Sequence, residues 1–186
     1  MTLPKYAIRE QERRFLLDPD ALPPLSDPDA WLIEDLYVRS SRLRLRAMTA
    51  FDGTAPVFKL CKKYPDDDPR GGPIVNIYLS ATEYDLLAGL PGRRLRKRRH
   101  RLDDQAAPFH VDVFEGALAG LVISEVETAD SVALAAISSP AWAVREITAD
   151  PFFNGDNLAR LDAAALDRRL RRELSRSSRA EEGATP

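Results

Sequence analysis

Ionisable residues recur at every second position on one candidate strand after another. Such a chain either leaves one face of a sheet in water or closes that face around a charged interior. Glu10, Glu12 and Arg14 share one face of a first strand; Arg42, Arg44 and Arg46 share a face of the next, opposite Leu43 and Leu45. Lys59, Cys61 and Lys63 then oppose Phe58 and Leu60, and Lys97, Arg99 and Arg101 lie on the face of Leu95. His110, Asp112 and Phe114 oppose Val111 and Val113, while Glu125 and Glu127 oppose Val122, Ser124 and Val126. A half-solvated antiparallel sheet is the commonest meaning of such alternation. The sorting favours closure instead: carboxylate pairs stand at the two ends of the series and cationic pairs between them. Rolling these strands into a barrel makes a polar tunnel and leaves the apolar faces to be covered by helices.

The chain of 186 residues fits one domain. Its 27 Lys and Arg against 29 Asp and Glu leave a net charge of −2, so no bulk field favours nucleic acid or an anionic membrane, and neither is an expected partner. Cys61 is the single cysteine, the opening residues carry no apolar core of a leader, and no apolar run approaches a membrane span. A soluble, cytoplasmic protein is expected. Strands are read over Tyr6 to Leu17, Ser41 to Thr49, Val57 to Tyr64, Ile74 to Leu79, Arg93 to Leu102, Phe109 to Glu115 and Leu121 to Thr128. Asp18 to Pro28 is a Pro-rich loop leading towards Trp31, and PDDDPRGG is read as an acidic loop in which Arg70-Gly71-Gly72 forms a turn. Ser80 with Glu83 makes a capping box for a helix ending near Gly89. Further helices are read over Asp130 to Ile137 and Asn157 to Leu174, with a short segment at Val144 to Thr148 between them. The fold class is α+β, a closed antiparallel barrel with a charged interior, covered by helices, plus a C-terminal helix. Residues 1–174 form the domain, and 175–186 are expected to be a disordered tail.

Clustered Arg and Lys bind phosphoryl oxygens, whereas carboxylates cannot touch phosphate without a cation between them. Hard oxygen donors without a Cys/His set then point to Mg²⁺ or Mn²⁺ rather than zinc. His100 and His110 are read as structural, and Trp31, Trp142, Phe152 and Phe153 as packing residues.

An ordered series of motifs resembles the CYTH family, the triphosphate tunnel metalloenzymes, which include class IV adenylyl cyclases, thiamine triphosphatases and bacterial inorganic triphosphatases. Glu10-Gln11-Glu12-Arg13-Arg14 resembles that family's Glu-x-Glu-x-Lys strand, with Arg in place of the final Lys. LRLR at 43–46, KLCKK at 59–63, GRRLRKRR at 92–99, VDVFEG at 111–116, SEVE at 124–127 and EITAD at 146–150 follow in order. The resemblance covers roughly Tyr6 to Leu166. It implies metal binding by Glu10, Glu12, Glu125 and Glu127, with Asp112 beside them, and phosphate binding by Arg14, Arg44, Arg46, Lys63, Lys97 and Arg99. It also makes Lys97 the candidate for activating water. Cys61 stands where related sequences often have Thr.

Two stretches depart from the family pattern. Ile74, Asn76 and Tyr78 stand where relatives often carry further Glu, and the C-terminal motif reads Phe153-Asn154-Gly155-Asp156. Three functions fit these residues: metal-dependent hydrolysis of inorganic tripolyphosphate or of a nucleoside or thiamine triphosphate, binding of a phosphate chain or nucleotide without turnover, and cyclisation of ATP.

Overall fold

The computed structural model describes residues 4–25, 29–103 and 108–182, with 176–182 as backbone only. Nine strands form one sheet: β1 (Ile8–Leu17), β2 (Trp31–Val38), β3 (Leu43–Ala50), β4 (Val57–Lys63), β5 (Gly71–Leu79), β6 (Gly92–Asp103), β7 (Pro108–Phe114), β8 (Val122–Glu127) and β9 (Ala143–Glu146). Their order is β5-β4-β3-β2-β6-β7-β8-β1-β9, and β1 also pairs with β5. Eight strands therefore close into an antiparallel barrel, which removes the open edges of a sheet.

The closure is short. Ile8 to Gln11 face Ile74 to Gly71, and the Glu12 amide donates to the Arg70 carbonyl at 2.7 Å. Beyond that point the same edge of β1 turns to β9, with Phe15 opposite Glu146. Gly71 begins β5 rather than ending a loop, because a Cβ there would meet the backbone of Glu10. Gly71, read as part of a turn, is what lets β1 approach.

The segment before β3 contains a strand that the sequence reading passed over. β2 is bracketed by β3 and β6, with Asp35 opposite Arg46 on one side and Leu95 on the other. The helices follow capping chemistry. Ser80 and Glu83 complete the capping box of α1 (Ala81–Ala88), which ends at Gly89 as expected, and Asp130 caps α2 (Ser131–Ala136). The single final helix read over Asn157 to Leu174 is instead two, α3 (Gly155–Leu158) and α4 (Ala163–Glu182). The backbone of α4 runs beyond the expected end at 174, and residues 183–186 of the expected tail lie outside the described residues.

Two apolar clusters flank the charged interior. One packs Phe15, Leu17, Phe109, Val111, Val122 and Val126 on the outer face of β1, β7 and β8 against Leu134 of α2. The other joins the inward-facing Leu16, Leu95, Phe114 and Ile123 to Phe153, Leu158 and Leu166. The barrel interior thus changes along its length from charged to apolar. No helix among the described residues is long and apolar enough to cross a membrane.

Candidate functional site

The register of the strands carries the alternating residues into a single cavity of about 500 Å³. Its wall includes Glu10, Glu12 and Arg14 of β1; Arg44 and Arg46 of β3; Cys61 and Lys63 of β4; Lys97 and Arg99 of β6; and Glu125 and Glu127 of β8. Leu95, Phe114, Ile123, Phe153 and Leu158 line it where it meets the apolar cluster. Every expected site residue except Asp112 reaches this wall. Asn76 does not line it but lies exposed on β5 opposite Cys61.

Carboxylates gather where β1 and β8 pair. Glu12 stands opposite Glu127, and Arg14 opposite Glu125. Burial, together with Glu125 and Glu10, raises the Glu12 carboxyl above its ordinary range against the pull of Lys63 and Arg14. Burial, Glu10 and Glu125 raise Glu127 likewise. Burial alone would also raise Glu125, but Arg99, Lys97 and Arg14 hold it well below the usual carboxylate range. Lys63 Nζ reaches Glu10 Oε2 at 2.6 Å.

Oxygen donors with this excess of repulsion suit a hard cation. Among the described residues, however, no three His, Cys, Asp or Glu side chains converge closely enough to hold a metal ion by themselves. Mg²⁺ characteristically uses one or two carboxylates and completes its shell with water and phosphate oxygens, so the Glu12 and Glu127 pair fits that chemistry.

Asp112 sits apart from the glutamate pair and among cations. It is fully buried; Arg99 Nε donates to its Oδ1 at 2.7 Å, and Arg99 Nη2 to its Oδ2 at 2.7 Å. Lys97 Nζ also bonds Oδ2, and Arg99 reaches on to Glu125. Burial pushes the Lys97 ammonium below its ordinary value, against the opposing pull of Asp112 and Glu125.

Arg14 is committed to a loop. Its Nη1 donates to the Phe153 carbonyl at 3.0 Å, and its Nη2 to the Thr148 carbonyl at 3.2 Å and to Asn154 Oδ1 at 2.9 Å. The departing C-terminal motif therefore meets the departing Arg at the tunnel wall.

Two groups on β2 escaped the sequence reading. Asp35 accepts from Arg46 Nε and Nη2, each at 2.7 Å, and Arg44 Nε stands 3.7 Å away. Burial and Asp35 push the Tyr37 phenol up to about 12. Tyr37 packs so closely on Gly155 that a Cβ there would strike its hydroxyl. The period-2 set Ile33, Asp35, Tyr37 was the available signal, hidden because the apolar run Trp31-Leu32-Ile33 precedes it without alternation.

Comparison with known proteins turns on this barrel. No protein-family model matches the chain, and no curated protein does. Among solved structures, the inorganic triphosphatase NE1496 superposes with a TM-score of 0.54 at 26% identity over 82% of this chain and 95% of that one. A second crystal structure, described as the hypothetical protein NE1496, gives a TM-score of 0.55 at 27% identity over 82% of this chain and 99% of that one. The chain has the CYTH tunnel fold. The CYTH barrel explains why charged faces point inward here, and why the apolar faces of β1, β7 and β8 need α2 as a cover.

Proposed function

We propose that this protein hydrolyses a triphosphate-containing small molecule held in the tunnel, with Mg²⁺ or Mn²⁺ as cofactor. The observation that carries the reading is the convergence of both charges in one cavity: Arg44, Arg46, Lys63, Lys97 and Arg99 along its wall, with the Glu12 and Glu127 pair, whose carboxyls are raised, among them. The likeness to an inorganic triphosphatase supports the same class of substrate.

The cations would neutralise and orient the phosphate chain, and fixed charges in a partly dry cavity are the main resource for phosphoryl transfer. Glu12 and Glu127, with Glu10 and Glu125 beside them, would hold the metal. When bound, that ion would supply charge neutralisation at phosphoryl oxygens. Lys97 is the candidate for activating the attacking water; it would take a proton only as the neutral amine, which burial favours and the ion pair with Asp112 opposes. Asp112, occupied by Arg99 and Lys97, serves better as their counter-ion than as a metal ligand. Arg14 contributes by holding the 148–154 segment as well as by its charge.

A second reading has its own support. Among the described residues no three acidic side chains converge closely enough to hold a metal ion by themselves, so a protein that binds phosphate chains without turnover would also fit. Phosphate release from inorganic tripolyphosphate, ATP and thiamine triphosphate, with Mg²⁺, Mn²⁺ or EDTA, separates the two. Hydrolysis requires metal-dependent release that falls by about two orders of magnitude in Glu12→Gln. Binding without release in any metal would overturn the hydrolase reading in favour of the second.

A further inference from the structure

Asp35 belongs neither to the glutamate pair nor to the cations, yet it is a buried carboxylate on the same inward face as Arg46 and Leu95, its cross-strand neighbours. The two-pronged bond to Arg46 uses Nε and Nη2 of that guanidinium and leaves Nη1 outside the fork. Arg44, the next inward residue on β3, keeps Nε 3.7 Å from the same carboxylate; that Nε is buried without a hydrogen-bond partner. Its Nη2 lies 3.6 Å from the Cys61 thiol. One carboxylate thus holds Arg46 by a two-pronged bond and draws Arg44 by charge. The cations around it keep the Asp35 carboxyl ionised, because Arg46 and Arg44 outweigh the effect of burial.

We infer that Asp35 is a positioning residue of the tunnel, which aligns Arg44 and Arg46 for the phosphate chain while subtracting one charge from their side of the wall. This rests on the triphosphate reading above. The two effects act on different constants. A cation held in a fixed orientation contributes most where charge develops in the reaction. A surplus of unopposed positive charge tightens the grip on substrate and transition state alike, which does not raise kcat. Asp35 therefore trades affinity for orientation, and removing its charge should move affinity and turnover in ways that a purely structural residue would not.

The test uses inorganic tripolyphosphate with the full chain and two variants. Binding is measured by calorimetry in EDTA, and kcat and KM are measured with Mg²⁺. In Asp35→Asn, Kd should fall by about tenfold because one opposing unit charge is gone, while kcat falls by about tenfold or more. In Asp35→Glu the charge remains but the carboxylate is displaced, so Kd should stay within about twofold while kcat drops by roughly the same factor as in the Asn variant. Weaker or unchanged binding by a folded Asp35→Asn protein overturns the inference, and so does unchanged turnover in Asp35→Glu. Should Asp35→Asn fail to fold, the Glu variant alone decides; failure of both to fold would assign Asp35 to the fold only. Wild-type binding with no effect of either variant sinks this inference and spares the triphosphate reading. A wild-type chain that neither binds nor hydrolyses tripolyphosphate removes both.

Discussion

Glu12 lies in the wall of the tunnel with a carboxyl that burial, Glu125 and Glu10 all push upward. A carboxyl raised in the folded state favours folding below its ordinary pKa, and that contribution is lost as pH rises through the folded value. In metal-free protein at neutral pH the Glu12 charge is therefore a cost. Glu12→Gln should melt higher than wild type at pH 7 in EDTA, the gap should close near pH 4, and Mg²⁺ should raise the wild-type melting temperature more than the variant's. A variant that melts lower at pH 7, or differs equally at both pH values, contradicts this. At the residue scale the glutamate pairs and alternating cations were legible because strand periodicity alone assigns them a common face. Asp35 was not, since its role depends on a cross-strand partner in β3, and register cannot be read from β2 by itself. The commitment of Arg14 to Phe153, Thr148 and Asn154 was hidden for the same reason: the partners lie more than a hundred residues away in the chain.

At the scale of elements, α4 is tied to the tunnel by charge rather than by packing alone. Arg145 of β9 donates to Glu173 at 2.6 Å and to Asp150 at 2.6 Å, and Arg169 of α4 bridges the same two carboxylates at 2.7 and 2.5 Å. Arg169 also lies over the rings of Phe152 and Phe153, next to the residues that hold Arg14. Glu173 is only 5% exposed, so its loss leaves two arginines short of an acceptor. Glu173→Gln should destabilise the protein by about 2 kcal/mol in denaturant unfolding. A loss below the error of the measurement would show that the network is dispensable. The helix itself was legible in the sequence, but its ties to Arg145 and Asp150 were not, since those partners lie outside it in the chain. The break between α3 and α4 was not seen, because the apolar positions continue across it while Leu161 packs against the core as part of the connection. The capping box at Ser80, by contrast, is local chemistry and was read correctly from four residues.

At the scale of the whole molecule, closure into a barrel decides which half of each strand meets ligand. β6 is the sharpest case. Lys97 and Arg99 enter the cavity, while Arg96 and Arg98 meet Glu115 outside it and Arg94 caps the Ala88 carbonyl. The closed barrel was inferred from the sorting of charge along the chain. The narrow β1–β5 seam that achieves it was not, because it depends on Gly71 allowing a close backbone approach. Nor was the apolar end of the interior foreseen, since it needs Phe153 and Leu158 folded back against inward residues of the barrel. Calorimetric titration of inorganic tripolyphosphate into single alanine variants of this one strand tests the tunnel most directly. Lys97→Ala and Arg99→Ala should each weaken binding by about tenfold or more, whereas Arg94→Ala and Arg96→Ala should leave it within about twofold. Equal losses from inward and outward positions would contradict a phosphate chain held inside the barrel.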